Sequence, residues 1–226
     1  MKKSLVGLLA VASFSLPMAA SSAVIVLTFE GVGDLSPVGE FYNGGGGADY
    51  GISFSPETLA LVDSDAGGNG SFANEPSPST VMFFLEADEA ILNVAAGFGT
   101  GFSFFYSAAE AGSVRVFSGV NGSGSLLASL DLVAQFDECC AGDPTGDYCN
   151  WTPVGVLFAG IARSIDFGGA ANFIGFDDIT FGSDKPGVVP EPGSLALLGL
   201  GLGLLALYAP PLRSRRPARR SSRVRA

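Results

Sequence analysis

The chain has 226 residues, 47% of them hydrophobic and 15% charged, with a formal net charge of −10 and no histidine. That length suits one domain of ordinary size with short appendages. The missing His excludes Ser-His, Cys-His and His-metal chemistry, and Lys at positions 2, 3 and 185 alone argues against a buried catalytic lysine.

Charge is segregated along the chain. Residues 1–23 hold Lys2, Lys3 and no acid, residues 24–192 hold all 22 acids and three bases, and residues 193–226 hold seven Arg and no acid. A middle this acidic repels nucleic acid and anionic membrane surfaces, so neither is expected as a partner. Keeping an exported domain soluble is the simpler account of the acids, and attraction of divalent cations is the other.

The N-terminus runs Met1-Lys2-Lys3, an apolar stretch from Ser4 to Leu16, then Pro17 and small residues to Ala23. A charged start, a short apolar core and small side chains before the cut define a signal peptide, 1–23, cleaved by signal peptidase after Ala23. The apolar core is too short to span a bilayer as a helix.

Short β-rich runs follow, separated by Gly, Asn, Asp, Ser and Pro. They are Val24–Glu30, Ile52–Ser55, Leu59–Val62, Thr80–Leu85, Ala90–Ala95, Gly101–Ser107, Ser113–Ser118, Ser125–Leu132, Pro153–Ala159, Ile161–Phe167 and Phe173–Phe181. Several alternate apolar and polar residues as half-buried strands do. Turn signals recur about every ten residues, which predicts an all-β fold over 24–184, a jelly-roll-like antiparallel β-sandwich. Asn121-Gly122-Ser123-Gly124 reads as a hairpin turn, because Asn and Gly tolerate positive φ. Gly44 to Gly47 is a loop with no helix after it, which argues against a phosphate cradle.

The three cysteines, Cys139, Cys140 and Cys149, share one polar loop. Export to an oxidising space favours a disulfide from Cys149 to Cys140 or to Cys139, with Cys140–Cys149 taken as the working pair. Adjacent cysteines seldom bond to each other, so one thiol is left over.

The C-terminal part, 185–226, has four pieces. Residues 185–188 are a linker and Val189-Pro190-Glu191-Pro192 is a stiff, extended tetrapeptide. Residues 193–209 are an uncharged run, about 26 Å long as a helix and just able to cross a thin bilayer. Residues 210–226 carry the seven Arg, which hold that end on the cytoplasmic side. In this order, after a signal peptide, these pieces resemble the PEP-CTERM sorting signal of Gram-negative bacteria. The resemblance implies recognition by an exosortase, a membrane protease, with Val189, Pro190, Glu191 and Pro192 as recognition residues of a substrate. It also implies export, a transient single-pass precursor, and a final place at the cell surface or in an exopolysaccharide matrix or biofilm. A permanent single-span anchor is the alternative.

The body, with Leu27-Thr28-Phe29-Glu30-Gly31 at its start and Gly175-Phe176-Asp177-Asp178-Ile179-Thr180-Phe181 at its end, resembles the β-sandwich ectodomains of PEP-CTERM proteins and also MAM-type adhesion modules. In such modules the terminal strands lie side by side. Glu30 and one of Asp177 and Asp178 are then candidate ligands of a structural Ca²⁺. In a regular strand the two Asp point to opposite faces, and the family likeness favours Asp178. The other reading is that the pair caps a turn or accepts backbone hydrogen bonds.

Asp63-Ser64-Asp65, followed by Gly and Asn, suggests a calcium loop, but Asn74 stands where an EF-hand has Glu, and an acidic surface loop is the simpler reading. Such a loop also has the inventory for sugar hydroxyls, with Phe72 as a stacking ring. The expectation is an exported, non-enzymatic structural or glycan-binding protein. The alternative is a hydrolase of matrix polysaccharide. With 21 acids in the ectodomain, a carboxylate pair at glycosidase spacing is inevitable and decides nothing.

Overall fold

β-branched and aromatic runs become strands throughout the computed structural model, which describes residues 24–86, 90–136, 140–143 and 145–187. The segment 1–23 expected to be a signal peptide, the 189–192 tetrapeptide, the apolar run 193–209, the Arg-rich tail and Cys139 lie outside the described residues. Nine strands form: β1 (Ile25–Leu27), β2 (Ile52–Phe54), β3 (Thr58–Val62), β4 (Thr80–Phe84), β5 (Ile91–Ala108), β6 (Gly112–Phe117), β7 (Leu126–Leu132), β8 (Thr152–Asp166) and β9 (Ile174–Phe181). A single 3-10 turn, Ser64–Ala66, and an irregular turn with non-helical backbone, Phe41–Gly45, complete the regular structure among the described residues. No helix there is long and apolar enough to cross a membrane.

The strands pair antiparallel in the order β3-β4-β9-β5-β8-β6-β7, with β1 on β9 and β2 on β5. β5 and β8 each serve both layers of the sandwich. The first part of β5 pairs with β2 and with the end of β8, and its second part pairs with the start of β8 and with β9. The eleven expected runs therefore become nine strands: 90–95 joins 101–107, and 153–159 joins 161–167. The glycines between them are bulges rather than breaks. Gly97 and Gly160 take φ of +80° and +97°, Thr100 takes +78°, and the β5–β8 register shifts between Asn93 and Thr100. An extra residue there bends the strand so that it passes from one layer to the other.

Between the layers lies an aromatic core. Phe102, Phe104, Phe167 and Phe176 pack edge to face and Phe181 packs tilted on Phe102, with centroids 5.0–6.2 Å apart. Each such fully buried ring contributes about 2–3 kcal/mol of transfer free energy. Alternation decides which residues enter: Val114 and Val116 of β6 are buried, while Arg115 between them is exposed and pairs with Asp166. The 121–124 hairpin is present, with Asn121, Gly122 and Gly124 at φ of +55°, +67° and +80°.

Candidate functional site

Alternation on β4 sets up a groove on the outside of the sandwich. Met82 and Phe84 enter the core, so Val81 and Phe83 face outward. Two loops rise over that outer face. Residues 63–79 connect β3 to β4, and residues 133–151 connect β7 to β8. They are stitched together by Tyr148 N–H and Asp147 N–H donating to Ser71 C=O, and by Ala73 N–H donating to Tyr148 C=O. The Cys140–Cys149 disulfide, with Cα atoms 5.5 Å apart, ties off the second loop beside Tyr148.

Together they enclose a cavity of about 480 Å³ lined mainly by aromatic and aliphatic side chains, with Asn69, Asn172 and Ser71 as polar groups. Trp151 is the sole Trp of the chain and forms one wall. Its Nε1–H donates to Ala73 C=O at 3.0 Å, and Phe72 meets it edge to face at 6.3 Å. Its far edge lies over Gly175, where a Cβ would sit 3.3 Å from Cη2. Phe72, expected as a stacking ring, is only 3% exposed and acts as a brace for Trp151. Sequence reasoning missed Trp151 and Tyr148. The available signal was a lone Trp two residues after Cys149, in an otherwise polar loop.

Gly175→Val is expected to drive branched carbons into the Trp151 ring. Tryptophan emission should shift while far-UV circular dichroism stays unchanged, and an unaltered emission spectrum would refute this packing.

The candidate Ca²⁺ ligands are placed as follows. Glu30 Oε2 accepts hydrogen bonds from the Ser79 and Thr80 hydroxyls at 3.3 and 3.2 Å. Burial raises its pKa, and Oε1 is enclosed with no hydrogen-bond partner. Asp178 takes φ of +48°, and its Oδ2 lies beside Gly187. The buried member of the Asp pair is Asp177, at 0% exposure. It accepts from Ser77 N–H and Ser77 Oγ–H, both at 2.7 Å, and from Asp178 N–H at 2.6 Å. Burial pushes its pKa up to about 8, and neighbouring Asp178 adds to the shift. Among the described residues, neither Glu30 nor Asp178 belongs to a cluster of three metal-ligating side chains.

One such cluster exists elsewhere, formed by Asp63, Asp65 and Asp143. Asp63 and Asp65 come from the first loop and Asp143 from the disulfide loop. Burial raises the pKa of Asp63, with Asp143 and Asp65 adding repulsion.

No family model matches the chain, and no curated protein matches it. Among solved structures, a glycoside hydrolase family 43 arabinoxylan arabinofuranohydrolase from Bacillus subtilis is 13% identical over 58% of this chain and 27% of its own, with a TM-score of 0.36. The chain thus spans about a quarter of that enzyme's length. A family 6 carbohydrate-binding module is 18% identical over 58% of this chain and 92% of its own, with a TM-score of 0.34. The CBM22-1-GH10 modules of Clostridium thermocellum xylanase 10B are 12% identical over 71% of this chain and 28% of theirs, with a TM-score of 0.38.

Proposed function

We propose that this protein is an exported glycan-binding module of jelly-roll type, held at the cell surface or in an exopolysaccharide matrix and lacking catalytic turnover. The observation that carries the reading is the outer groove. The CH face of a sugar ring packs on an indole, and amides and hydroxyls bond its OH groups. Trp151 supplies the ring, and Asn69, Asn172 and Ser71 supply the polar atoms. The described residues lining the groove are apolar, aromatic, amide and hydroxyl groups, which supports binding rather than turnover as the reading.

The sequence supports the cellular setting. The signal segment 1–23 directs export through signal peptidase, and Val189 to Pro192, with the apolar run and Arg tail behind them, present the chain to an exosortase.

The test is co-sedimentation of the full chain, purified in mild detergent, with exopolysaccharide from the organism of origin, followed by a reducing-end assay. Saturable binding without new reducing ends is expected. Trp151→Ala should weaken it by about 2 kcal/mol, roughly thirtyfold. Absence of binding sinks the glycan reading. New reducing ends would establish a hydrolase instead.

A further inference from the structure

We propose that Asp63, Asp65 and Asp143 bind one Ca²⁺ ion that joins the 63–70 loop to the Cys140–Cys149 loop. One carboxylate oxygen from each of the three lies within 4.8 Å of the others. Ca²⁺ accepts carboxylate oxygens at about 2.3–2.6 Å in irregular shells and so suits donors drawn from two loops, whereas Mg²⁺ demands a near-ideal octahedron. The donors are all hard oxygens, which selects against zinc and copper.

A second observation is independent of the clustering. Asp63 is 7% exposed, and its Oδ1 is enclosed without a hydrogen-bond partner. An enclosed carboxylate oxygen with no donor is costly unless a cation completes it. Among the described residues no Lys or Arg pairs with any of the three, because the one ion pair found there is Arg115–Asp166.

The surroundings hold the ligands in place. Asp143 Oδ1 accepts from Thr145 N–H, Thr145 Oγ–H and Gly146 N–H at 2.8–3.1 Å, which fixes the side chain and leaves its second oxygen outside that set. Ser64 Oγ–H donates to Thr145 Oγ at 2.9 Å, linking the two loops directly beside the cluster. Both loops also wall the groove, through Asn69 and Tyr148, so the ion would set the spacing of its two sides. The ion site stands whether or not the groove takes a sugar.

The test is calorimetric titration of the full chain, in mild detergent and freed of metal by EDTA, with CaCl₂ and separately with MgCl₂. One Ca²⁺ per chain is expected, with a higher Tm in Ca²⁺ than in EDTA and weaker binding of Mg²⁺. Asp143→Asn and the exposed Asp65→Asn should each weaken Ca²⁺ binding roughly tenfold or more. Asp65→Asn keeps the test valid if a change at buried Asp63 prevents folding. Glu30→Gln should leave the titration unchanged. Absence of Ca²⁺ binding in the wild type overturns the proposal. So does binding that survives Asp65→Asn and Asp143→Asn, or that is lost in Glu30→Gln alone.

Discussion

Raising the pH from 5 to 8 is expected to lower the melting temperature, and Asp177→Asn to reduce that dependence. The Asp177 carboxyl sits at 0% exposure, and its pKa stands at about 8 against 3.8 for a free carboxyl. Between those two values the folded state keeps a proton that the unfolded state has released. Stability therefore falls as pH rises through this window and is greatest at its acid end. From pH 5 to 8 the loss is on the order of a few kcal/mol, at no more than about 1.4 kcal/mol for each unit. Burial raises the pKa of Glu30, Asp63 and Asp178 as well, so these groups slope the same way.

The hydrogen bonds accommodate the neutral acid. A proton on Oδ1 can be donated to Ser77 Oγ, whose own hydroxyl reaches Thr28 C=O at 3.3 Å, while Oδ2 keeps the Ser77 N–H. Asparagine has the same shape and no charge at any pH. Thermal melts in EDTA at four pH values provide the check. A wild-type Tm that is flat or rising from pH 5 to 8 would sink the account, as would an unchanged slope in the variant.

The second large effect is in the core. Phe176→Ala should cost about 3–5 kcal/mol, on the order of 10 °C in Tm for a domain of this size. Phe176 is fully buried and touches Phe84 of β4, Phe104 of β5 and Phe167 just after β8, at 6.1, 5.5 and 5.0 Å. Removing it leaves a cavity where those three rings meet. Phe173, three residues earlier, is 42% exposed on the groove, so Phe173→Ala should cost under about 1 kcal/mol. Denaturant melts of the two variants are the comparison. Equal losses would mean that the core and the groove have been assigned to the wrong residues.

The strand pattern was legible because alternation and turn residues are local properties. Ser113 to Ser118 shows its buried face directly in its sequence, and the Asn121 turn announces itself by residue type. The passage of β5 and β8 between layers was not legible, since a glycine between two apolar runs reads equally as a loop or as a bulge. The acidic loop showed only two of its three carboxylates. Asp143 lies about eighty residues downstream and arrives by the pairing of Phe72 with Tyr148, which no spacing rule reveals. The Asp177–Asp178 pair shows a related difficulty. A positive φ at Asp178 departs from regular strand geometry, so strict alternation did not tell which of the two would be buried.

The pairing of β1 with β9 also bears on how the domain assembles. Ile25 and Phe181 are register partners, so the earliest strand finds its neighbour only in the latest one. A chain made from its N-terminus must carry β1 unpaired until nearly the whole domain has emerged. Closing so long a loop is slow, and meanwhile the apolar Ile25-Val26-Leu27 edge is open to the wrong partners. Folding should therefore finish in a single late step, and truncation anywhere before Phe181 should yield an aggregating chain rather than a smaller stable one.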